Sequence, residues 1–169
     1  MAARLNINPN RMELSRLKKR LVVAKRGHKL LKDKQDALIK AFLEKAKNIK
    51  EERERLEAEL DECYKSFLLA RAQTLPSMLE QSLMVSGSTV SLAVKHKNIM
   101  SVLVPEYAIN QKGDYFNYGM STSTGSLDVA LDLFSKIVPK LIMLAAEEKG
   151  LQLMAAEIER TRRRVNALE

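Results

Sequence analysis

The stretch NRMELSRLKKRLVVAKRGHKLLKDKQDALIKAF, residues 10–42, decides the fold. Leu14, Leu17, Leu21, Ala24, His28, Leu31, Gln35, Leu38 and Phe42 follow one another at alternating steps of three and four residues. Such spacing has the period of about 3.5 residues that keeps one face of an α-helix turned toward a partner helix. The surrounding residues are mostly Ala, Leu, Lys, Glu, Arg and Gln, all good helix formers. Between Asn10 and Thr74 there is no proline, and Gly27 is the only glycine. The pattern predicts one helix over this whole span, a rod of about 100 Å at a rise of about 1.5 Å per residue. Leu56, Leu60, Cys63, Phe67 and Ala70 resume the alternation in what reads as a shifted phase, predicting a stutter between Phe42 and Leu60.

Pro76 ends the rod, because the residue before a proline is pushed out of the α region. Residues 76–84, PSMLEQSLM, read as a short helix with proline in its first turn. From 85 to 125 the composition turns to β-branched and aromatic residues, Ser and Gly. Thr89–Lys95, Ile99–Val104 and Tyr115–Tyr118 are expected as short strands, with Lys112-Gly113-Asp114 as a turn, so that a small hairpin-bearing head closes the rod.

A second helical segment runs from Leu127 to Glu169, with Ser126 as the expected N-cap and Asp128 where the helix dipole favours an acid. Its expected stripe is Leu127, Leu131, Phe134, Val138, Leu141, Ala145, Glu148, Leu151, Ala155, Ile158, Val165 and Leu168. Pro139 should kink it. The fold class is therefore mainly α: a long antiparallel two-helix coiled coil with a small head containing a short helix and a β-hairpin. The expected parts are a first helix (1–75), a head (76–125) and a second helix (126–169). With Ser126 beside Thr74, Glu169 reaches only to about Leu31. Leu14, Leu17 and Leu21 are then left without an intrachain partner, a stripe expected to meet further chain or another protein.

The composition of the 169 residues excludes several classes. There are 6 Gly, 4 Pro and no Trp, which disfavours sandwiches, barrels and collagen-like chains. One cysteine, Cys63, allows neither an internal disulfide nor a zinc site and suits a reducing, intracellular compartment. The opening residues lack a signal-peptide core, and no run approaches a membrane span of about 18 apolar residues, so direct membrane insertion is not expected. Net charge is +8, and residues 1–50 hold 15 Lys/Arg against 4 Asp/Glu. This end of the chain should seek acidic partners in a salt-dependent way.

Motifs for chemistry are weak or missing. No GxxxxGK[ST] phosphate cradle exists, and Gly27-His28-Lys29 and Lys112-Gly113-Asp114 lack its spacing. His28 and His96 sit in different segments with no Ser or Cys arranged beside them for nucleophilic work. Cys63 lies on the apolar seam, where a thiol serves as a small hydrophobe. Met143 and Met154 read as packing filler. No cofactor or metal is expected. Lys18-Lys19-Arg20, Lys25-Arg26 and Arg162-Arg163-Arg164 are either solvated flanks or a binding surface, and Phe42 is the one aromatic between Arg11 and Lys50, too few for base stacking.

Two ordered stretches carry a resemblance. Pro9-Asn10-Arg11, then Leu14-Ser15-Arg16-Leu17-Lys18-Lys19-Arg20-Leu21, then the run from Ala24 to Leu38, are similar to the N-terminal signature of the D-subunit family of V-type and archaeal A-type ATPases/ATP synthases. Glu157-Ile158-Glu159-Arg160-Thr161-Arg162-Arg163-Arg164-Val165-Asn166-Ala167-Leu168-Glu169 resembles that family's C-terminal helix. The resemblance implies a noncatalytic central rotor shaft, cytoplasmic and peripheral to the membrane, with one end in the bore of the hexamer of catalytic A and noncatalytic B subunits. Its other end, with the F subunit of the central stalk, would couple to the C (d) subunit that forms the socket on the membrane ring. It further implies a chain that continues beyond Glu169. Arg16, Lys19, Arg26, Arg162 and Arg163 are then the expected hexamer-facing contacts. Leu14, Leu17, Leu21, Leu31, Leu38, Phe42, Leu151, Ile158 and Val165 are the expected seam. Residues 85–120 either regulate hydrolysis through the F subunit or the socket, or simply cap the coiled coil. A basic helical hairpin that binds nucleic acid, and a tethering coiled coil, are the competing readings.

Overall fold

A computed structural model describes residues 10–84, 87–119 and 123–169. Met1–Pro9, Val85, Ser86 and residues 120–122, which include Pro9 of the N-terminal signature and part of the expected head, lie outside the described residues. In chain order the elements are helix α1 (Arg11–Gln73), helix α2 (Pro76–Met84), strand β1 (Ser88–Ile99), strand β2 (Val102–Gly113) and helix α3 (Gly125–Leu168). The chain divides into two compact units. One combines the residues up to Phe42 with Met154–Glu169, and the other is Leu43–Leu153.

In the first unit the start of α1 and the end of α3 run antiparallel. His28 Nε2 meets Glu169 Oε1 at 3.2 Å, and Lys34 Nζ meets Glu157 Oε1 at 3.6 Å, so numbers rise on one helix as they fall on the other. Leu38, Met154, Thr161 and Val165 form the buried centre, and Leu17, Ala24, Leu31 and Gln35 are half-buried. No bond reaches the Thr161 hydroxyl, although the residue is 1% exposed.

The second unit pairs its helices in the same sense. Arg53 meets Glu148 at 3.4 Å, Lys140 meets Glu59 at 2.6 Å, Ser126 donates to Gln73 Oε1 at 2.6 Å, and the Thr74 and Thr124 hydroxyls are 3.2 Å apart. Its buried residues include Ile49, Leu56, Cys63 and Ala70 on α1, with Leu127, Ala130, Ile137 and Ala146 on α3.

The buried row of α1 carries the expected stutter. Half-buried Leu17, Ala24 and Leu31 lead to buried Leu38 at steps of seven residues, and buried Ile49, Leu56, Cys63 and Ala70 again follow one another at steps of seven. Between Leu38 and Ile49 the step is eleven residues, the insertion of four into a heptad pattern that moves the phase.

Helix α3 begins at Gly125, a residue before the expected cap; Leu127 N donates to Thr124 O at 2.9 Å, and the Asp128 carboxylate accepts from Tyr118 Oη. The helix runs through Pro139. Its buried row departs from the expected stripe: Leu141, Ala145, Ala155 and Leu168 are exposed, whereas Ala146, Gly150, Met154 and Thr161 are buried. The departure around residue 146 has a physical cause, a second neighbour. Strand β2 packs there, and a Cβ added to Gly150 would stand 2.6 Å from Val104 Cγ1.

The hairpin pairs β1 with β2 from Ser88↔Gly113 to Ile99↔Val102. Three expectations are corrected here. Ile99–Val104 is the turn with the ends of both strands, Lys112-Gly113 closes β2, and Tyr115–Tyr118 is irregular. Met100 and Ser101 take φ of 51° and 73°, the left-handed pair that a two-residue hairpin turn demands. Such turns are normally announced by Asn-Gly, and Met-Ser gives no such signal. Asn98 Oδ1 supports this one by accepting from Ser101 N at 2.9 Å. At the hairpin base Gly113 has φ +97°, and a Cβ there would stand 2.1 Å from Gly87 O. Ala70, Leu79 and Leu127, with Phe67, Tyr118 and Leu131 against them, make the head core.

Candidate interaction surface

The seam residues fall into two groups. Leu38 and Val165 are buried, and Leu31, Phe42, Leu151 and Ile158 are half-buried. Leu14 and Leu21 are each 54% exposed, as the length comparison requires. With Leu17 and Ala24 they floor a shallow apolar groove on α1 whose other walls are the stems of Lys18 and Arg20. Arg16, Lys19, Arg26, Arg162 and Arg163 are all exposed. Arg16 lies 3.5 Å from Glu13, and Arg163 pairs with Glu159, each within its own helix. Exposed pairs of this kind are worth about 0–1 kcal/mol, so neither guanidinium is held strongly by its own helix.

Sequence reasoning missed Glu157. Its side chain is 17% exposed and faces both Lys34 at 3.6 Å and Arg160 at 3.9 Å. The i,i+3 spacing to Arg160 was legible, but the cross-helix partner depends on the register. Gly150 and Val104 were missed for a related reason, although a glycine inside a helical pattern is a signal of close approach.

Titration adds no catalytic candidate. Burial, then Glu62 and Glu59, pushes the Cys63 thiol above its ordinary range. Burial and then the bond to Asp128 push the Tyr118 phenol up. Each shift disfavours the reactive anion. Among the described residues no group of three His, Cys, Asp or Glu side chains is placed to hold a metal ion, and no helix is long and apolar enough to cross a membrane.

What remains is a set of paired helices with a basic, partly apolar exterior, and comparison with known proteins gives it a place. The family described as the ATP synthase D subunit matches residues 13–169. The chain belongs to that ATP synthase D-subunit family. A V-type ATP synthase D subunit of Thermoanaerobacter sp. (strain X514) is 51% identical over 167 residues, covering 98% of this chain and 80% of that one. The protein of the same name from Clostridioides difficile (strain 630) is 51% identical over 170 residues, covering 99% and 77%. That from Clostridium botulinum (strain ATCC 19397 / Type A) is 48% identical over 171 residues, covering 98% and 79%. Membership of the family makes this chain a component of a V-type ATP synthase complex, and it lends no support to a nucleic-acid-binding arm.

Proposed function

We propose that this D-subunit chain is the noncatalytic central-stalk shaft of a V/A-type rotary ATPase. It would couple ATP hydrolysis or synthesis in the A/B hexamer to ion translocation by the membrane ring. The observation that carries the reading is family membership over nearly the whole chain, joined to antiparallel helix pairing in both units. A shaft needs stiffness, which paired helices supply through buried Leu38, Met154, Leu56 and Cys63. It also needs a surface that does not lock at one angle.

Arg16, Lys19, Arg26, Arg162 and Arg163 would meet acidic loops in the bore of the hexamer, each contact shallow enough to be exchanged as the gripping subunit pair changes. Leu14, Leu17 and Leu21 would enter the same environment. The F subunit and the C (d) socket are the proposed partners of the other end, and the site of action is the cytoplasmic side, peripheral to the membrane. The test is a pull-down of the tagged chain from native membranes, followed by identification of the bound chains. Recovery of the A, B and F subunits supports the reading. Recovery of RNA in a steeply salt-dependent manner, without those subunits, contradicts it.

A further inference from the structure

The β1–β2 hairpin holds to the helices in an uneven way. Among its residues only Val102, Val104 and Pro105 are buried, all within a few positions of the Met100-Ser101 turn. Every residue of β1 between Ser88 and Ile99 is exposed, and no residue from Glu106 to Gly113 is buried. Its base is fixed differently, by backbone crowding. A Cβ at Gly87 would stand 2.6 Å from Asp114 O and 2.8 Å from Asn117 Cβ, and Gly113 faces Gly87 O still more closely. Between base and tip lies a cleft of about 380 Å³ whose lining includes Lys45, Met143, Ala146 and Glu147 from the helices and Lys97 and Glu106 from the hairpin. The Lys97–Glu106 ion pair, at 3.5 Å, joins the strands to each other and not to the helices.

We propose that the hairpin is a strap, tethered at the Gly87/Gly113 base and closed at its tip by Val104 seated over Gly150 of α3, which opens while α1 and α3 stay folded and paired. The geometry of the closure is specific. Only a glycine at 150 leaves room for the Val104 methyl, since a β-carbon there would be 2.6 Å from Cγ1. The fastening is also local: a few apolar side chains at one end, above a cleft with charged walls, form a contact whose loss exposes little else. Segments with few buried apolar contacts open at lower free energy than the core that carries them. Opening uncovers Val102, Val104 and Ala146 together and so converts the position of the hairpin into apolar surface that is otherwise hidden. This goes beyond the shaft reading and does not depend on it.

The test uses the full chain, with its native buried Cys63 as an internal reference. In V104C, and in V102C as a second reporter of the same contact, alkylation of each thiol is measured and normalised to its rate in the unfolded chain. The strap predicts that the introduced thiol is protected less than Cys63 by roughly tenfold or more. It also predicts that adding Gly150→Ala to V102C, which keeps the Val104 methyl, lowers that protection further, with helical circular dichroism unchanged and melting temperature not lowered. In V104C/G150C the two β-carbons would be 3.7 Å apart, within the usual disulfide range of about 3.5–4.5 Å, so mild oxidation should close the bond. Equal protection of the introduced thiol and Cys63 would overturn the proposal, because the hairpin would then open only with global unfolding. So would failure of V104C/G150C to oxidise, or loss of helix melting temperature in Gly150→Ala.

Discussion

Lys34 Nζ and Glu157 Oε1 face each other at 3.6 Å across α1 and α3, and the glutamate is the more sheltered partner at 17% exposure. Most other ion pairs in the chain join exposed side chains, several within one helix turn, where the gain is small. Glu157→Gln should therefore lower the unfolding free energy by about 0.5–1 kcal/mol, near the top of the range for exposed pairs. Glu159→Gln, which loses only the exposed pair with Arg163, should have an effect close to zero. Urea unfolding followed by circular dichroism compares the two.

Leu38 and Leu14 belong to one apolar stripe of the sequence but differ in the structure. Leu38 is fully buried, and Leu14 is 54% exposed. Leu38→Ala should lower stability by about 2–5 kcal/mol through lost burial and the cavity left behind. Leu14→Ala should change the isolated chain by no more than about 0.5 kcal/mol. If Leu14 serves in the hexamer bore, its substitution weakens assembly with A and B subunits instead, which co-purification reads independently of melting.

This contrast marks how much was legible in the residues. The steps of seven from Leu31 to Leu38 and from Ile49 to Leu56 were plain, because a heptad needs only spacing, and so was the change of phase between them. Pro76 and the change of composition after Met84 located the head. The antiparallel offset followed from counting: Glu169 is found beside His28, close to the expected level of Leu31. The hairpin turn was hidden because Met100 and Ser101 adopt positive φ without glycine or asparagine at either position. The buried row of α3 around Ala146 and Gly150 was hidden because it answers to Val104, a residue remote in sequence. The residues expected to face partner subunits are placed on the exterior, but exposure is all that spacing and charge could specify.

Stability at alkaline pH should report Cys63. Its folded pKa is raised above the ordinary value of 9.0, chiefly by burial. Below that value folded and unfolded chains both carry the proton, and the thiol adds no slope. As pH rises past it the unfolded chain ionises first, so stability falls until the folded thiol also titrates. Tyr118, raised above its ordinary 10.0, adds a fall of the same sign at higher pH. Urea midpoints between about pH 7 and pH 10.5 should drop for the parent chain and drop less for Cys63→Ala.

Thr161 buries a hydroxyl that no donor or acceptor reaches. Thr161→Val replaces that hydroxyl with a methyl of similar size and removes the desolvation penalty. Stability should stay level or rise by about 1 kcal/mol, read as the urea midpoint of the variant against the parent. A clear loss would show that the hydroxyl has a partner in solution.

On the proposed function this chain turns as a shaft. The most direct measurement fixes an assembled complex to a surface through its hexamer, attaches a bead to the hairpin through V90C, at an exposed strand position, and follows the bead when ATP is added. Stepwise rotation in one direction, stopping when ATP is removed, is the predicted result. A bead that stays still while the same complexes hydrolyse ATP would contradict it.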